Sequence, residues 1–508
     1  MSLAIVHSRA LLGIDAPLVT VEVHLSNGLP GLSIVGLPET AVKESKDRVR
    51  SALLNARFDY PQRRMTINLA PADLPKEGGR YDLAIALGIL CASGQIPQAA
   101  LDRYEVIGEL ALSGELRSVP GALPVAIQAH AAGRALLLPA SCAEEAALVT
   151  GATVIGAPHL LQACAHLLGH TLIEPTPAPD LPAPCFDLDL AEVRGQFQAK
   201  RALEVAAAGG HSLLMVGPPG TGKTMLASRL PGLLPPLTLQ EHLDVASILS
   251  VACSPTGAIL SQQRPFRQPH HTASAVALVG GGSTPRPGEI SLANHGVLFL
   301  DELTEFDRRV LEGLRQPMES GQVCISRARA QVTFPARFQL ICAMNPCPCG
   351  YYGDPRGRCH CGPDLVRRYQ SKISGPLLDR LDLHVEVAAL AEGELTADPQ
   401  AVETSAQVRQ RVLLARHRQQ QRRGKLNSQL SGREVEQDCH LNQDDRLMME
   451  QALNRLGLSA RAYHRVLRVA RTLADLADSS LVDRAHLLES LSYRKLDRVA
   501  TGRGRGST

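Results

Sequence analysis

Residues 217–224 read Gly-Pro-Pro-Gly-Thr-Gly-Lys-Thr, between the apolar run 212–216 and the helical stretch 225–230. A buried strand, a glycine loop and a helix in that order are the context a P-loop requires. Gly217, Gly220 and Gly222 let backbone N–H groups close around phosphate oxygens without Cβ clashes, with Pro218, Pro219 and Thr221 completing the turn. The helix N-terminus adds a favourable dipole. Lys223 would reach the β- and γ-phosphates, and the Thr224 hydroxyl would ligate Mg²⁺. The chain is therefore expected to bind a nucleoside triphosphate with Mg²⁺.

Two further apolar runs end in polar residues. Residues 296–300 lead into Asp301 and Glu302, an acidic pair that is costly at the end of a buried strand unless it meets a cation. In P-loop enzymes such an Asp holds Mg²⁺ and the adjacent Glu orients the attacking water. Residues 338–344 end at Asn345, whose amide is placed to hydrogen-bond that water or the γ-phosphate. Taken alone, such an Asn is a turn residue.

The chain of 508 residues is long enough for about three domains. A proline-rich stretch, 171–186, carries five prolines and reads as a semi-rigid linker. Before it, residues 1–170 mix β-rich stretches with a helical stretch over 40–56, an α/β or α+β pattern. Residues 187–390 alternate strands and helices around the P-loop, which implies a parallel sheet. Residues 391–497 turn helical, with strong one-faced periodicity over 444–478, and the glycine- and arginine-rich tail 498–508 reads as disordered. The expected class is α/β: an αβα core with a parallel sheet, an N-terminal α+β domain and a C-terminal helical lid.

A net charge of +3 does not mark a nucleic-acid binder, so any such surface must be local. Eight of the twelve cysteines are scattered singly, as in a reducing compartment. No leader-like N-terminus and no apolar run long enough to span a bilayer is read, so a cytoplasmic protein without membrane contact is expected.

The stretches 188–230, 285–303 and 374–384 (Ser-Gly-Pro-Leu-Leu-Asp-Arg-Leu-Asp-Leu-His) resemble the magnesium-chelatase-type branch of AAA+ ATPases. More narrowly, nearly the whole chain resembles the bacterial ComM/YifB group, in which a Lon-like N-terminal domain precedes a chelatase-like AAA+ module. That resemblance implies a homo-hexameric, ATP-driven helicase that moves DNA branch points during natural transformation. It also implies that Arg380 acts as an arginine finger on the neighbouring subunit's nucleotide, and that Arg461 is the sensor-2 arginine of the lid. An alternative is a chelatase-like ATPase that remodels a protein partner.

Residues 321–334 read as a hairpin tipped by Arg327 and Arg329. In the related rings a hairpin at this place points into the pore, where two cations per subunit would track DNA phosphates. The basic run 409–425 carries seven Lys/Arg and no acid, read either as a solvated helical face or as an outer DNA-binding surface. His270 and His271 suggest metal at first sight, but adjacent side chains point apart on a strand or helix, so a metal-free coupling loop is preferred.

Cys347, Cys349, Cys359 and Cys361 form a CxC…CxC pattern within fifteen residues. Four thiolates so close repel unless a cation compensates, and a structural Zn²⁺ site is expected, with His360 as a possible substitute ligand. The alternatives are a reduced loop or a redox disulfide pair.

Residues 71–90 and 106–124 resemble a Lon-type serine–lysine protease, but Arg80 stands at the serine position and Pro124 at the lysine position. Proteolysis is therefore not expected. Lys43, Lys46 and Arg48 are candidate contacts of this domain, with a solvated face as the plainer reading.

Overall fold

In Leu18–Ser26 and Arg64–Ala70 every second residue is buried, the period-two pattern of a strand covered on one face. A computed structural model describes the chain apart from residues 1–2, 38, 283–284, 327–330, 355, 390–401, 457–458 and 495–508. These strands belong to a seven-stranded mixed sheet whose order is 31–35, 64–70, 18–26, 3–9, 104–106, 135–139 and 154–157. The helix Asp82–Ala92, apolar after its first residue, is buried against it.

The second sheet has five strands in the order 266–267, 297–300, 339–344, 213–216 and 383–386, all parallel. Val297–Leu300, Leu213–Val216 and Gln339–Met344 are buried along their whole lengths. Strands buried on both faces, apolar apart from Gln339, suit a parallel sheet covered on both sides. Helix Phe197–Gly209 lies in one of the flanking cores, together with Val408, Val412 and Ala415 of the C-terminal helix Ser405–Arg423.

The periodic stretch 444–478 is two helices, Gln443–Leu456 and Ala460–Leu476. The second starts at Ser459, whose hydroxyl accepts from the Ala462 N–H at 3.2 Å. An N-cap of this kind fixes a new helix start and interrupts an otherwise continuous apolar face.

The basic run 409–425 is committed to the protein itself. Arg411 pairs with Glu204 at 2.5 Å and Glu403 at 2.6 Å, Arg418 with Asp478 at 2.6 Å, and Arg422 with Asp475 at 2.7 Å. Arg423 pairs with Asp438 and Lys425 with Glu434, both at 2.7 Å. Arg416 donates to the Ala207 carbonyl, and Arg409 lies over the Phe186 ring. All seven cations have partners within the chain, and the outer stripe of the helix, with Leu414, His417 and Gln421, is exposed, which fits the solvated-face reading. Arg48 is likewise held, by the buried carboxylate of Asp82 at 2.7 Å.

Residues 171–186 form neither helix nor strand. The parts on either side nevertheless share a core. Ala246 and Ile259, beyond the proline stretch, are buried in one cluster with Leu123, Ala126, Leu136 and Val154, before it. The Ser250 hydroxyl donates to Glu145 at 3.4 Å across the same boundary.

Candidate nucleotide site

Register explains the convergence of the site. Val216 pairs with Met344 and Leu300 with Cys342, so Gly217, Asn345 and Asp301 leave adjacent parallel strands at one edge. Ligands of open parallel sheets bind at that edge. Gly222 has φ +85° and starts the helix Lys223–Ser228. Buried Lys223 donates to the Gly217 and Pro218 carbonyls, both at 2.8 Å, and to Asn345 Oδ1 at 3.3 Å. Burial lowers its pKa, against the nearby charges of Asp301 and Glu302. The Thr224 hydroxyl donates to Asp301 Oδ2 at 2.6 Å, so the two oxygens expected to share a cation already face each other.

Glu302 has φ +52°, in the left-handed region, and its N–H donates to Asp301 Oδ1 at 2.9 Å. Its carboxylate faces His271, with Oε2 3.3 Å from Nδ1. The two adjacent histidines do not point apart: their rings lie 4.1 Å centre to centre. The alternation argument fails because His270 and His271 follow the strand Phe266–Arg267 in irregular chain. His271 was not singled out for this site, and its one sequence signal is its place just beyond a strand beside the Asp301 strand.

Arg380 and Arg461 do not approach this constellation through any hydrogen bond or ion pair among the described residues. The Arg380 guanidinium, 10% exposed, pairs with Glu319 and donates to the Pro376 carbonyl at 2.7 Å. A salt bridge to the neighbouring Asp379 or Asp382, the plainer reading of an arginine in this stretch, is not formed among the described residues. Asp382 instead binds Arg465 at 2.8 Å and His211 at 3.3 Å. Burial opposes the Asp382 charge, yet His211, Arg465 and Arg468 hold its pKa well below the usual carboxylate range. Arg471 is buried against Asp475 at 3.0 Å. Arg461, exposed in the first turn of Ala460–Leu476, makes no ion pair or hydrogen bond among the described residues.

The four cysteine sulfurs lie within 4.8 Å of one another. Cys347 and Cys359 are 3.8 Å apart, Cys349 and Cys359 3.7 Å, and Cys347 and Cys349 3.3 Å. Four sulfurs about 2.3 Å from a tetrahedral Zn²⁺ stand about 3.8 Å apart, whereas a disulfide needs about 2.05 Å. The donor set and spacing fit zinc, and His360 is not among the clustered ligands. The Tyr351 and His360 backbone N–H groups, with Cys347, pull the Cys349 thiol down to about 6.

Three family models match the chain. "Magnesium chelatase, subunit ChlI" matches residues 189–395, "Subunit ChlI of Mg-chelatase" 21–142, and "Magnesium chelatase, subunit ChlI C-terminal" 402–494. The YifB protein of Salmonella typhimurium is 53% identical over 499 residues, covering 98% of each chain. The YifB protein of Escherichia coli is 53% identical over 500 residues, again 98% of each. Competence protein ComM of Haemophilus influenzae is 53% identical over 504 residues, 98% of this chain and 99% of that protein. The chain belongs to the ComM/YifB group of magnesium-chelatase-like proteins.

In this ComM/YifB-group chain, an AAA+-type ATPase, the hairpin is formed by Gln322–Ser326 and Gln331–Pro335, with Ser326 opposite Gln331. Arg327 and Arg329 lie outside the described residues, as do tail residues 498–508. Arg80 is buried and donates to the Arg9 and Pro120 carbonyls. Pro124 lies inside the helix Ala122–Ala131. No helix among the described residues is long and apolar enough to cross a membrane.

Proposed function

We propose that this chain is an ATP-driven DNA motor that acts as a homo-hexameric ring and moves branch points in recombination intermediates, as in integration of transforming DNA. The observation that carries it is the approach of Lys223 to Asn345 at 3.3 Å and of Thr224 to Asp301 at 2.6 Å. ATP phosphates would exchange with the loop carbonyls on Lys223, and Mg²⁺ would sit between Thr224 and Asp301. Glu302 would orient the attacking water, with Asn345 on the γ-phosphate and Arg461 on the bound nucleotide. Arg380 would reach the nucleotide of the neighbouring subunit, leaving Glu319 to do so. The DNA half of the reading draws on Arg327 and Arg329, which lie in sequence between the two hairpin strands, and on the name of the Haemophilus relative, a competence protein.

The four cysteines hold a structural Zn²⁺ in this reading, with no open coordination position for catalysis. The region 1–170 serves as a non-proteolytic, Lon-like platform, since Arg80 is bound into the interior where a nucleophile would have to be free.

The test is ATP hydrolysis by the full chain with and without a synthetic four-way junction, following strand exchange in the same tube. Junction-stimulated hydrolysis with product strands, lost in Lys223→Ala and in Arg327→Ala/Arg329→Ala, is the expected result. Robust hydrolysis indifferent to every DNA, with no strand movement, overturns it in favour of a protein client.

A further inference from the structure

The cysteine cluster touches the phosphate loop. Cys347 stands two residues beyond Asn345, and the turn it begins brings Gly350 over Pro219 of the P-loop. Gly350 has φ +84°, and a Cβ built on it would lie 2.7 Å from Pro219 Cδ and 3.9 Å from Asn345 Cγ. Only a glycine allows that approach in that conformation. The turn is pinned from within: the Gly350 N–H donates to the Cys347 carbonyl at 2.9 Å, and the Tyr352 N–H to Cys347 Sγ at 3.3 Å.

The other two cysteines lead in the opposite direction. Cys361 is followed by Gly362, which starts the helix Pro363–Gln370. That helix is tied back twice. Gln370 donates to the Pro346 carbonyl at 3.0 Å, and the Tyr369 hydroxyl meets Thr304, three residues past Asp301, at 2.6 Å. The chain then runs through Gly375–Leu378 to Arg380. The four sulfurs are thus the point at which the wall of the nucleotide pocket meets the segment that carries Arg380.

We infer that a zinc ion bound by Cys347, Cys349, Cys359 and Cys361 is the brace of the nucleotide pocket: it holds the 346–352 turn against Pro219 and sets the position of the helix leading to Arg380. This rests on the metal reading of the cluster. The stabilisation acts by orientation, because a ligand group displaced by a fraction of an ångström loses its phosphate contacts. Without the metal, the turn is free to leave Pro219 and the pocket loses a wall.

The experiment measures zinc per chain by mass spectrometry and the affinity of a fluorescent ATP analogue, on the full-length protein. Three forms are compared: the natural chain, Cys359→Ser/Cys361→Ser, and Gly350→Ala. One zinc per natural chain is expected, lost in the serine variant together with about tenfold weaker nucleotide binding. Gly350→Ala is expected to keep its zinc and still bind nucleotide about tenfold more weakly, because it breaks only the contact with Pro219. Zinc in the natural chain with unchanged affinity in Gly350→Ala overturns the brace while leaving the metal site standing. Absence of zinc from the natural chain overturns the metal reading, and the brace with it. If the serine variant does not fold, Gly350→Ala decides alone.

Discussion

Gly13 lies against Val332 so closely that a Cβ built on it would come within 2.5 Å of Val332 Cγ1. Gly13 belongs to a tight turn closed by paired backbone bonds between Leu12 and Asp15, and Val332 to the hairpin strand Gln331–Pro335, where it pairs with Ile325. Leu12 and Ile14 pack on the cluster that contains Val323, Val332 and Phe334. The N-terminal region therefore touches the element expected to meet DNA. Its φ of +66° and the overlap together make Gly13→Val costly, by about 3 kcal/mol in urea unfolding. Val332→Ala in the same chain is expected to return part of that loss. Additive effects of the two changes count against direct contact.

Glu302→Gln is expected to bind ATP normally and hydrolyse it about 100-fold or more slowly. Arg380→Ala is expected to lose about 1,000-fold in hydrolysis while also binding ATP. Equal mixtures of the two should regain activity, since one supplies Glu302 and the other Arg380 to a shared site. Inactive mixtures of folded, co-assembled chains would rule out a contribution from the neighbour.

Burial raises the Glu145 carboxyl from 4.5 to about 7, offset in part by the Ser250 hydroxyl and the Ala122 N–H. Because the folded-state pKa lies above the unfolded one, the folded chain holds an extra proton between those values. Stability from this group therefore falls as pH rises from about 4.5 to about 7 and stays low above. Glu145→Gln removes the penalty. Thermal melting should show a gain approaching 3 kcal/mol at pH 8 that shrinks towards zero near pH 4.5. A gain independent of pH contradicts this.

Arg471 and Asp475, each 1% exposed, form a buried pair that also engages Asn427 and Arg422. Removing the cation leaves the Ser479 and Ser480 carbonyls without that donor, while Asp475 keeps Arg422 and Asn427, so Arg471→Met is expected to cost about 3 kcal/mol in urea unfolding. A cost below about 1 kcal/mol would mean that Arg422 alone neutralises Asp475.

The parts of the site legible in the sequence are those set by local backbone and strand order. Gly217 to Thr224, Asp301 and Asn345 follow from a loop motif and two apolar strands, and parallel register brings them together. The four cysteines were legible because their spacing is short enough for the chain alone to gather them. The basic run was not, since charge in sequence says nothing about partners: Glu204, Asp438 and Asp475 come from three other helices. Neither was the His271–Glu302 contact, which depends on an irregular loop, nor Gly13 against Val332, which depends on how two regions dock.

The core shared by Ala246, Ile259, Leu123 and Val154 changes what the proline stretch 171–186 can be. A tether that joins two bodies already welded elsewhere is not a pivot. Each stroke of the ATPase would carry its N-terminal region along as a fixed arm, so the far end of that arm would sweep further than the nucleotide pocket that drives it.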